Sequence, residues 1–355
     1  MKKIVLTGGG TAGHVTPNIA LFPALREANF EIHYIGSYEG IEKRLIEDYE
    51  IPYYGIATGK FRRYFDLKNF TDPLRVLKGY AEAKKILKQI KPDVLFSKGG
   101  FVSVPVVRAA NSLGIPCIIH ESDMTPGLAN KLCIPAASKV CCNFPETLQM
   151  LPKEKAVLTG SPIRAELRQG NRIAALDLCK FTANKPVIMV IGGSLGAAAI
   201  NKTVRDALPM LLEDFQVIHI CGKEKVDNLL LNVPGYKQFE YVKTELKDLF
   251  ALADVVVSRA GANAICELLA LKKPNVLIPL SAKSSRGDQI LNARSFEAQG
   301  FSLIIDEDDL IDSVLVEKIL EVYFSRQIYI DAMGKSDQLG SIQTIMKLIH
   351  EAVSK

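Results

Sequence analysis

The sequence predicts an α/β protein built as two doubly wound, parallel-sheet domains facing each other across a cleft. Three observations carry this. A length of 355 residues suits about two domains. Short β-branched apolar runs alternate with helical stretches along the chain, as expected for parallel strands buried on both faces and joined by crossover helices. The halves also repeat one another. Lys3-Ile-Val-Leu-Thr-Gly-Gly-Gly-Thr-Ala-Gly13, a helix and Phe30-Glu-Ile-His-Tyr-Ile-Gly36 return as Pro186-Val-Ile-Met-Val-Ile-Gly-Gly-Ser-Leu-Gly196, a helix and Phe215-Gln-Val-Ile-His-Ile-Cys-Gly222. Strand, glycine turn, helix, strand is the opening of a nucleotide-type domain, and open sheets of this kind bind ligands at the carboxyl ends of their strands.

In chain order, the first domain takes strands at residues 4–6, 32–35, 94–96 and 117–120, with a long amphipathic helix at 74–91. The second takes strands at 187–191, 217–220, 255–257, 275–279 and 302–305, with a helix at 200–212. The joint is placed at Gly160-Ser-Pro-Ile-Arg164, giving domains 1–163 and 164–340, and the last segment, 341–355, is expected to cross back as a helix onto the first domain. Apolar residues make up 48% and charged residues 23%, which excludes wholesale disorder. A net charge of +5 is too small for a dedicated nucleic-acid binder. The seven cysteines form no C-x-x-C pair, so a reducing cytosol is expected, with no disulfide framework and no zinc site. Lys2 and Lys3 precede only three apolar residues before the glycines, too few for a secretory leader. No run approaches the ~20 apolar residues of a spanning helix, so membrane contact is expected to be peripheral.

Two glycine turns and two later loops carry the chemistry. Gly8-Gly-Gly-Thr-Ala-Gly13 lies between a strand and a helix, where backbone N–H groups are available to an anion. Its spacing is not G-x-G-x-x-G, and the acid expected after the second strand to grip a ribose is met only by Tyr38-Glu39. A dinucleotide oxidoreductase therefore fits poorly, and without a Walker lysine so does ATP hydrolysis. The second turn adds the Ser194 hydroxyl to backbone amides, a cradle for one diphosphate, and Arg164 offers bidentate phosphate contacts. Beyond the strand at 255–257, a helix expected near Asn263 would hold Glu267 in its first turn, as a ribose acceptor or a capping acid. Gln289 and Asn292 share a helix face and can read sugar hydroxyls.

These pieces resemble, in order, the MurG family of bacterial peptidoglycan glycosyltransferases in the GT-B superfamily. The residues that carry the resemblance are Gly9-Gly-Thr-Ala-Gly-His14, Gly99-Gly-Phe-Val-Ser103, His120-Glu-Ser-Asp123 with Gly127-Leu-Ala-Asn130, Gly160-Ser-Pro-Ile-Arg164, Gly192-Gly-Ser-Leu-Gly196, Ser258-Arg-Ala-Gly261 with Glu267, and Asp288-Gln289 with Asn292. The resemblance implies inverting transfer of GlcNAc from UDP-GlcNAc to the 4-hydroxyl of MurNAc in the undecaprenyl-linked lipid I, giving lipid II. It implies that Arg164 and Ser194 contact the diphosphate, Glu267 the ribose, Val242 the uracil through its backbone, and Gln289 and Asn292 the GlcNAc. Thr11, Ala12, Gly13, Ala262 and Asn263 join the donor side, while Gly10, Ser103, Asp123 and Asn130 line the acceptor side together with Thr11. Three departures stand out: Ala12 and Val104 replace glycines of the family pattern, and Asp123 replaces an asparagine.

Inverting transfer needs a base, for which His14 and Glu121 compete. His33 and His219 lie on equivalent strands of the repeat and read as structural; His120 stays open. No metal and no cofactor are expected, and helix N-termini, amides and Arg164 would neutralise the leaving diphosphate. Residues 60–91 interleave ten Lys and Arg with Phe61, Tyr64, Phe65, Phe70 and Tyr80. Such a segment can lie on the anionic cytoplasmic leaflet of the cell membrane or form a solvated helix face. The rivals are a UDP-GlcNAc 2-epimerase, another glycolipid glycosyltransferase and a non-catalytic sugar-nucleotide sensor.

Overall fold

A computed structural model describes residues 1–59, 68–192, 197–283, 285 and 287–354, without the side chains of 68–73. The chain divides into two compact units, residues 1–164 with 340–355, and residues 165–339.

Unit 1 holds seven strands: β1 (Lys2–Thr7), β2 (Phe30–Ser37), β3 (Tyr53–Ile56), β4 (Val94–Ser97), β5 (Cys117–Glu121), β6 (Lys139–Cys142) and β7 (Ala156–Leu158). They form one sheet in the order β3-β2-β1-β4-β5-β6-β7, with every neighbouring pair parallel. Its helices are α1 (Thr16–Glu27), α2 (Ile41–Glu47), α3 (Lys68–Ile90), α4 (Ser103–Ser112) and α5 (Leu128–Cys133).

Unit 2 holds β8 (Val187–Ile191), β9 (Gln216–Ile220), β10 (Tyr236–Phe239), β11 (Val255–Ser258), β12 (Asn275–Leu277) and β13 (Leu303–Ile304), in the order β10-β9-β8-β11-β12-β13 and also parallel. Its helices are α6 (Arg172–Cys179), α7 (Ala198–Asp214), α8 (Leu246–Leu252), α9 (Ala262–Ala270), α10 (Asp288–Ala298), α11 (Asp312–Phe324) and α12 (Arg326–Gly334). The final helix, α13 (Ser341–Val353), belongs to unit 1.

Alternation along β1 divides the core of unit 1 in two. Ile4 and Leu6 pack with Phe22 and Leu25 of α1 and with Ile345 and Ile349 of α13, whereas Val5 packs with Leu87 of α3 and Val106 of α4. In unit 2, Ile188 and Val190 meet Val204 and Leu208 of α7 and Leu315 and Ile319 of α11. All seven cysteines are buried, as small hydrophobes are. Among the described residues, no helix is long and apolar enough to cross a membrane.

The repeat extends to individual braces, and here one expectation is refined. The register pairs Leu6 with Tyr34 and Val190 with His219, each one residue before its strand's end. Tyr34, not His33, is therefore the counterpart of His219. Both are held by an asparagine of the preceding helix: Asn18 Nδ2 lies 3.1 Å from the Tyr34 hydroxyl, and Asn201 Oδ1 lies 3.0 Å from His219 Nε2.

Candidate active site

In unit 1 the sheet order reverses between β1 and β4, the position where doubly wound sheets bind ligands. The loops leaving β1, β4 and β5 bring Gly10, Thr11, His14, Ser103, Glu121, Asp123 and Asn130 to the carboxyl edge of the sheet. The first loop ends in a short 3-10 turn, Ala12–His14, and runs into α1 with Pro17 in its opening turn. Ala12 is helical there and outside the positive-φ region, so the missing glycine costs nothing. Val104 likewise lies inside α4, where its side chain packs on the core.

His14 is half-buried. Its Nδ1 lies 3.0 Å from the Gly9 carbonyl and 3.2 Å from the Thr11 hydroxyl. A carbonyl only accepts, so Nδ1 carries the proton and Nε2 keeps its lone pair. Burial and then the Lys98 charge lower the His14 pKa, against the opposing influence of the Gly9 carbonyl, Asp123 and Glu42. The ring is thus held neutral with Nε2 as its basic atom.

Glu121 differs. It is buried, and Oε1 accepts the N–H groups of Ser122 (2.8 Å) and Asp123 (3.1 Å). Oε2 accepts the Gly127 N–H (2.9 Å) and Asn130 Nδ2 (2.8 Å). Burial raises its pKa while these donors oppose the shift. Four donors on one carboxylate make a brace for the 122–127 loop. Asn130 is buried with Oδ1 unbonded to protein, beside Gly99, whose φ is +93°. Ser103 is also buried and donates its hydroxyl to Gly99 O at 2.7 Å.

His120, left open by the sequence, is structural. It is fully buried, with Nδ1 2.8 Å from Lys98 Nζ and Nε2 3.0 Å from the Gly160 carbonyl, and burial drives its pKa well down. Lys98 went unnoticed in the sequence. It is 1% exposed and also donates to Ser122 Oγ at 2.5 Å. Glu42, fully buried near the start of α2, went unnoticed as well. The signal for it was the unexplained set Gly9, Gly36 and Gly40, each of which, given a Cβ, would strike its side chain at 2.4, 2.8 and 2.2 Å.

In unit 2 the corresponding carboxyl edge gathers Val242 after β10, the turn after β11 and the loop after β12. Ser194 lies outside the described residues. Arg164 closes unit 1 at the joint. One expectation changes. α9 starts at Ala262, immediately after Gly261, so Glu267 sits in the second turn and not the first. The alternative of a capping acid loses its basis, because helix-dipole stabilisation fades beyond the first turn. Asn263 lies in the opening turn. The carbonyl of Gln289 accepts the Leu280 N–H at 3.1 Å, leaving its amide nitrogen as the donor end. Asn292 is fully buried and donates to the Ala260 carbonyl at 3.3 Å, tying α10 to the turn before α9. Arg259, known from the sequence only as part of a motif, pairs with Glu307 and donates to the Ile278 carbonyl at 3.1 Å. Glu307 in turn accepts the Ser281 N–H at 2.9 Å, so one ion pair fixes the ends of β11 and β12 and the following loop.

Of the basic–aromatic segment, residues 60–67 and the side chains of 68–73 lie outside the described residues. Beyond them α3 exposes Leu74 and Leu77 next to Lys78.

Comparison with known proteins agrees with this layout. Residues 4–142 match the glycosyltransferase family 28 N-terminal domain, and residues 187–349 match its C-terminal domain. A Lachnospira eligens protein named UDP-N-acetylglucosamine–N-acetylmuramyl-(pentapeptide) pyrophosphoryl-undecaprenol N-acetylglucosamine transferase is 64% identical over 99% of both chains. The protein of that name from Clostridium botulinum is 58% identical over 98% of this chain and 99% of its own. The crystal structure of Acinetobacter baumannii MurG superposes with a TM-score of 0.78 at 27% identity, covering 99% of this chain and all of that one. A Listeria monocytogenes structure assigned as a UDP-N-acetylglucosamine 2-epimerase reaches a TM-score of 0.72 at 12% identity, covering 98% of this chain and 96% of its own, a likeness of fold alone. The chain belongs to glycosyltransferase family 28 and, within it, to the MurG family of GT-B enzymes.

Proposed function

We propose that this protein transfers GlcNAc from UDP-GlcNAc to the 4-hydroxyl of MurNAc in lipid I, with inversion, giving lipid II for peptidoglycan synthesis. The observation that carries the reading is the 64% identity, along the whole chain, to a relative named for that transfer. Unit 2 is the donor domain in this reading. Arg164 and Ser194 bind the diphosphate, Glu267 the ribose, the Val242 backbone the uracil, and the donor end of Gln289 the sugar. Ala262 and Asn263 offer the opening of α9 to the donor, and Asn292 keeps that turn in place. Unit 1 takes the acceptor along Gly10, Thr11, Ser103, Asp123 and Asn130.

His14 is the base. As the acceptor oxygen bonds to the anomeric carbon and the carbon–phosphate oxygen bond breaks, the hydroxyl proton passes to Nε2, whose lone pair the Gly9 contact leaves free. The imidazolium is transient, since burial and Lys98 both favour its return to neutrality. Departing UDP is stabilised by Arg164, by backbone amides and by the start of α7. Glu121 serves as the brace of the acceptor loop. The protein acts at the cytoplasmic leaflet, held there by residues 60–91, of which exposed Leu74 and Leu77 are the described apolar part.

The test is a transfer assay with radiolabelled UDP-GlcNAc, a short-chain lipid I analogue and a chelator. Label in the lipid product is expected. Release of UDP with an epimerised sugar and no labelled lipid would replace the reading by the epimerase.

A further inference from the structure

Glu42 is the least expected group in unit 1, a fully buried carboxylate beneath a glycine loop that also carries a candidate base. Oε2 accepts the Gly10 N–H at 3.1 Å, and Oε1 accepts the Ser37 N–H at 2.9 Å and the Ser37 hydroxyl at 2.5 Å. Room for it exists only because three positions lack a side chain. A Cβ on Gly9, Gly36 or Gly40 would come within 2.4, 2.8 or 2.2 Å of its side-chain atoms. In dinucleotide domains the acid following the second strand reaches out to a ribose, and the loop N–H groups face a phosphate. Here the acid after β2 turns inward and takes one of those N–H groups for itself. A second loop donor, the Gly9 N–H, points at the Gly99 carbonyl at 3.4 Å.

On the other flank of β1, where β4 ends, stands Lys98. A Cβ on Gly8 would lie 3.2 Å from the Lys98 Cβ and 2.5 Å from the His14 carbonyl, so the lysine stem and the loop share a wall. Its ammonium is anchored to His120 and Ser122 at the end of β5.

We propose that Glu42 and Lys98 are positioning residues: a buried carboxylate on the β2 side and a buried lysine stem on the β4 side hold the glycine loop, and with it His14, between them. The assignment of His14 as base, which this deepens, comes from the transfer reading above. The groups acting on His14 are Lys98 after β4, Asp123 after β5, Glu42 on α2, and Gly9 and Thr11 of its own loop. Lys98 lowers its pKa, while Glu42 and Asp123 raise it. Opposite signs make the pair testable, because a packing defect would not displace one titration in two directions.

The experiment is a 13C-histidine NMR titration of the full chain, which has five histidines, with His14→Ala used to assign the His14 signal. Glu42→Gln is expected to move the His14 midpoint down and Lys98→Met to move it up. In the transfer assay each variant is expected to lose about tenfold or more in kcat, with the donor KM within about threefold of wild type, because the damage is to the reacting geometry and not to donor binding. The acid limb of the pH–rate profile should shift with the NMR midpoint. Gly40→Ala is the second probe if Glu42→Gln folds poorly. Its Cβ displaces the carboxylate from outside the loop, and kcat should again fall with donor KM held. An unmoved midpoint in both variants, or the same direction in both, overturns the proposal. Should the wild type transfer no GlcNAc, the transfer reading fails while the titration still decides this pair.

Discussion

His14 and Glu121 differ in what their hydrogen bonds leave over. The Gly9 carbonyl fixes one nitrogen of His14 and leaves the other basic, whereas four donors saturate the Glu121 carboxylate. Replacing His14 by Ala should therefore lower kcat by about 10²–10⁴-fold with little change in the donor KM. Glu267→Ala should instead raise the UDP-sugar KM, because the proposed reading gives it the donor ribose. Steady-state kinetics with the donor varied separates the two. Glu121→Gln puts an N–H donor among N–H donors, so it should destabilise the protein by about 1–3 kcal/mol in urea unfolding, the usual cost of buried groups left unsatisfied. Equal turnover loss in the Glu121 and His14 variants at unchanged stability would return Glu121 to candidacy as the base. The sequence made His14 visible because its loop is local, a histidine five residues from the glycine that holds it. Glu42 and Lys98 were invisible for the opposite reason. Their burial, the Gly10 partner of Glu42 and the His120 partner of Lys98 exist only once the strands lie side by side, and an isolated Glu or Lys reads as a surface residue.

At the scale of elements, legibility followed burial. Central strands such as β1, β4, β8 and β11 read as runs of Ile, Val and Leu because both faces are covered. The strands left unread, β3, β7 and β10, are sheet edges, and the fourth, β6, lies one place in from an edge; β13, the remaining edge, was read at 302–305. Tyr53-Tyr-Gly-Ile56 and Tyr236-Lys-Gln-Phe239 mix polar and aromatic residues because part of each is solvated. Helix ends were the other loss. Gly261 starts α9 without a side-chain cap, so nothing in the pattern fixed where Glu267 would fall in the turn. α13 was expected as a helix crossing back onto the first domain, and its contribution can be measured. Ile345 and Ile349 are completely buried against α1 and β1 although they close the chain. Ile349→Ala should cost about 2–5 kcal/mol, the range for a large-to-small core substitution. Hydrogen exchange on the full chain should show the loss in residues 1–164, with 165–339 largely unchanged. A uniform loss of protection would mean that the units do not open separately.

Across the whole molecule the buried histidines set how the protein meets acid. His120 lies in unit 1 and His219 in unit 2, and burial lowers the pKa of each. For His219 the value falls to about 3, with the nearby Arg205 adding to the effect of burial. A histidine depressed in the folded state stays neutral there while the unfolded chain takes up a proton below about pH 6.5. Stability from such a group is therefore complete above that pH and declines as pH falls towards the folded value. A site whose folded value lies far below, as that of His219 does, contributes a slope of about 1.4 kcal/mol per pH unit. Hydrogen exchange corrected for intrinsic rates, read between pH 6 and 4.5, follows this loss of protection in each unit. Carboxylates add their own slopes, and a substitution isolates the histidine part. His219→Gln keeps a polar group between Asn201 and Tyr236 but cannot titrate. It should flatten the acid slope of unit 2 by about 1.4 kcal/mol per pH unit while leaving that of unit 1 in place. An unchanged slope in unit 2 would mean that His219 takes up its proton in the folded state, contrary to its burial and to the nearby Arg205 charge.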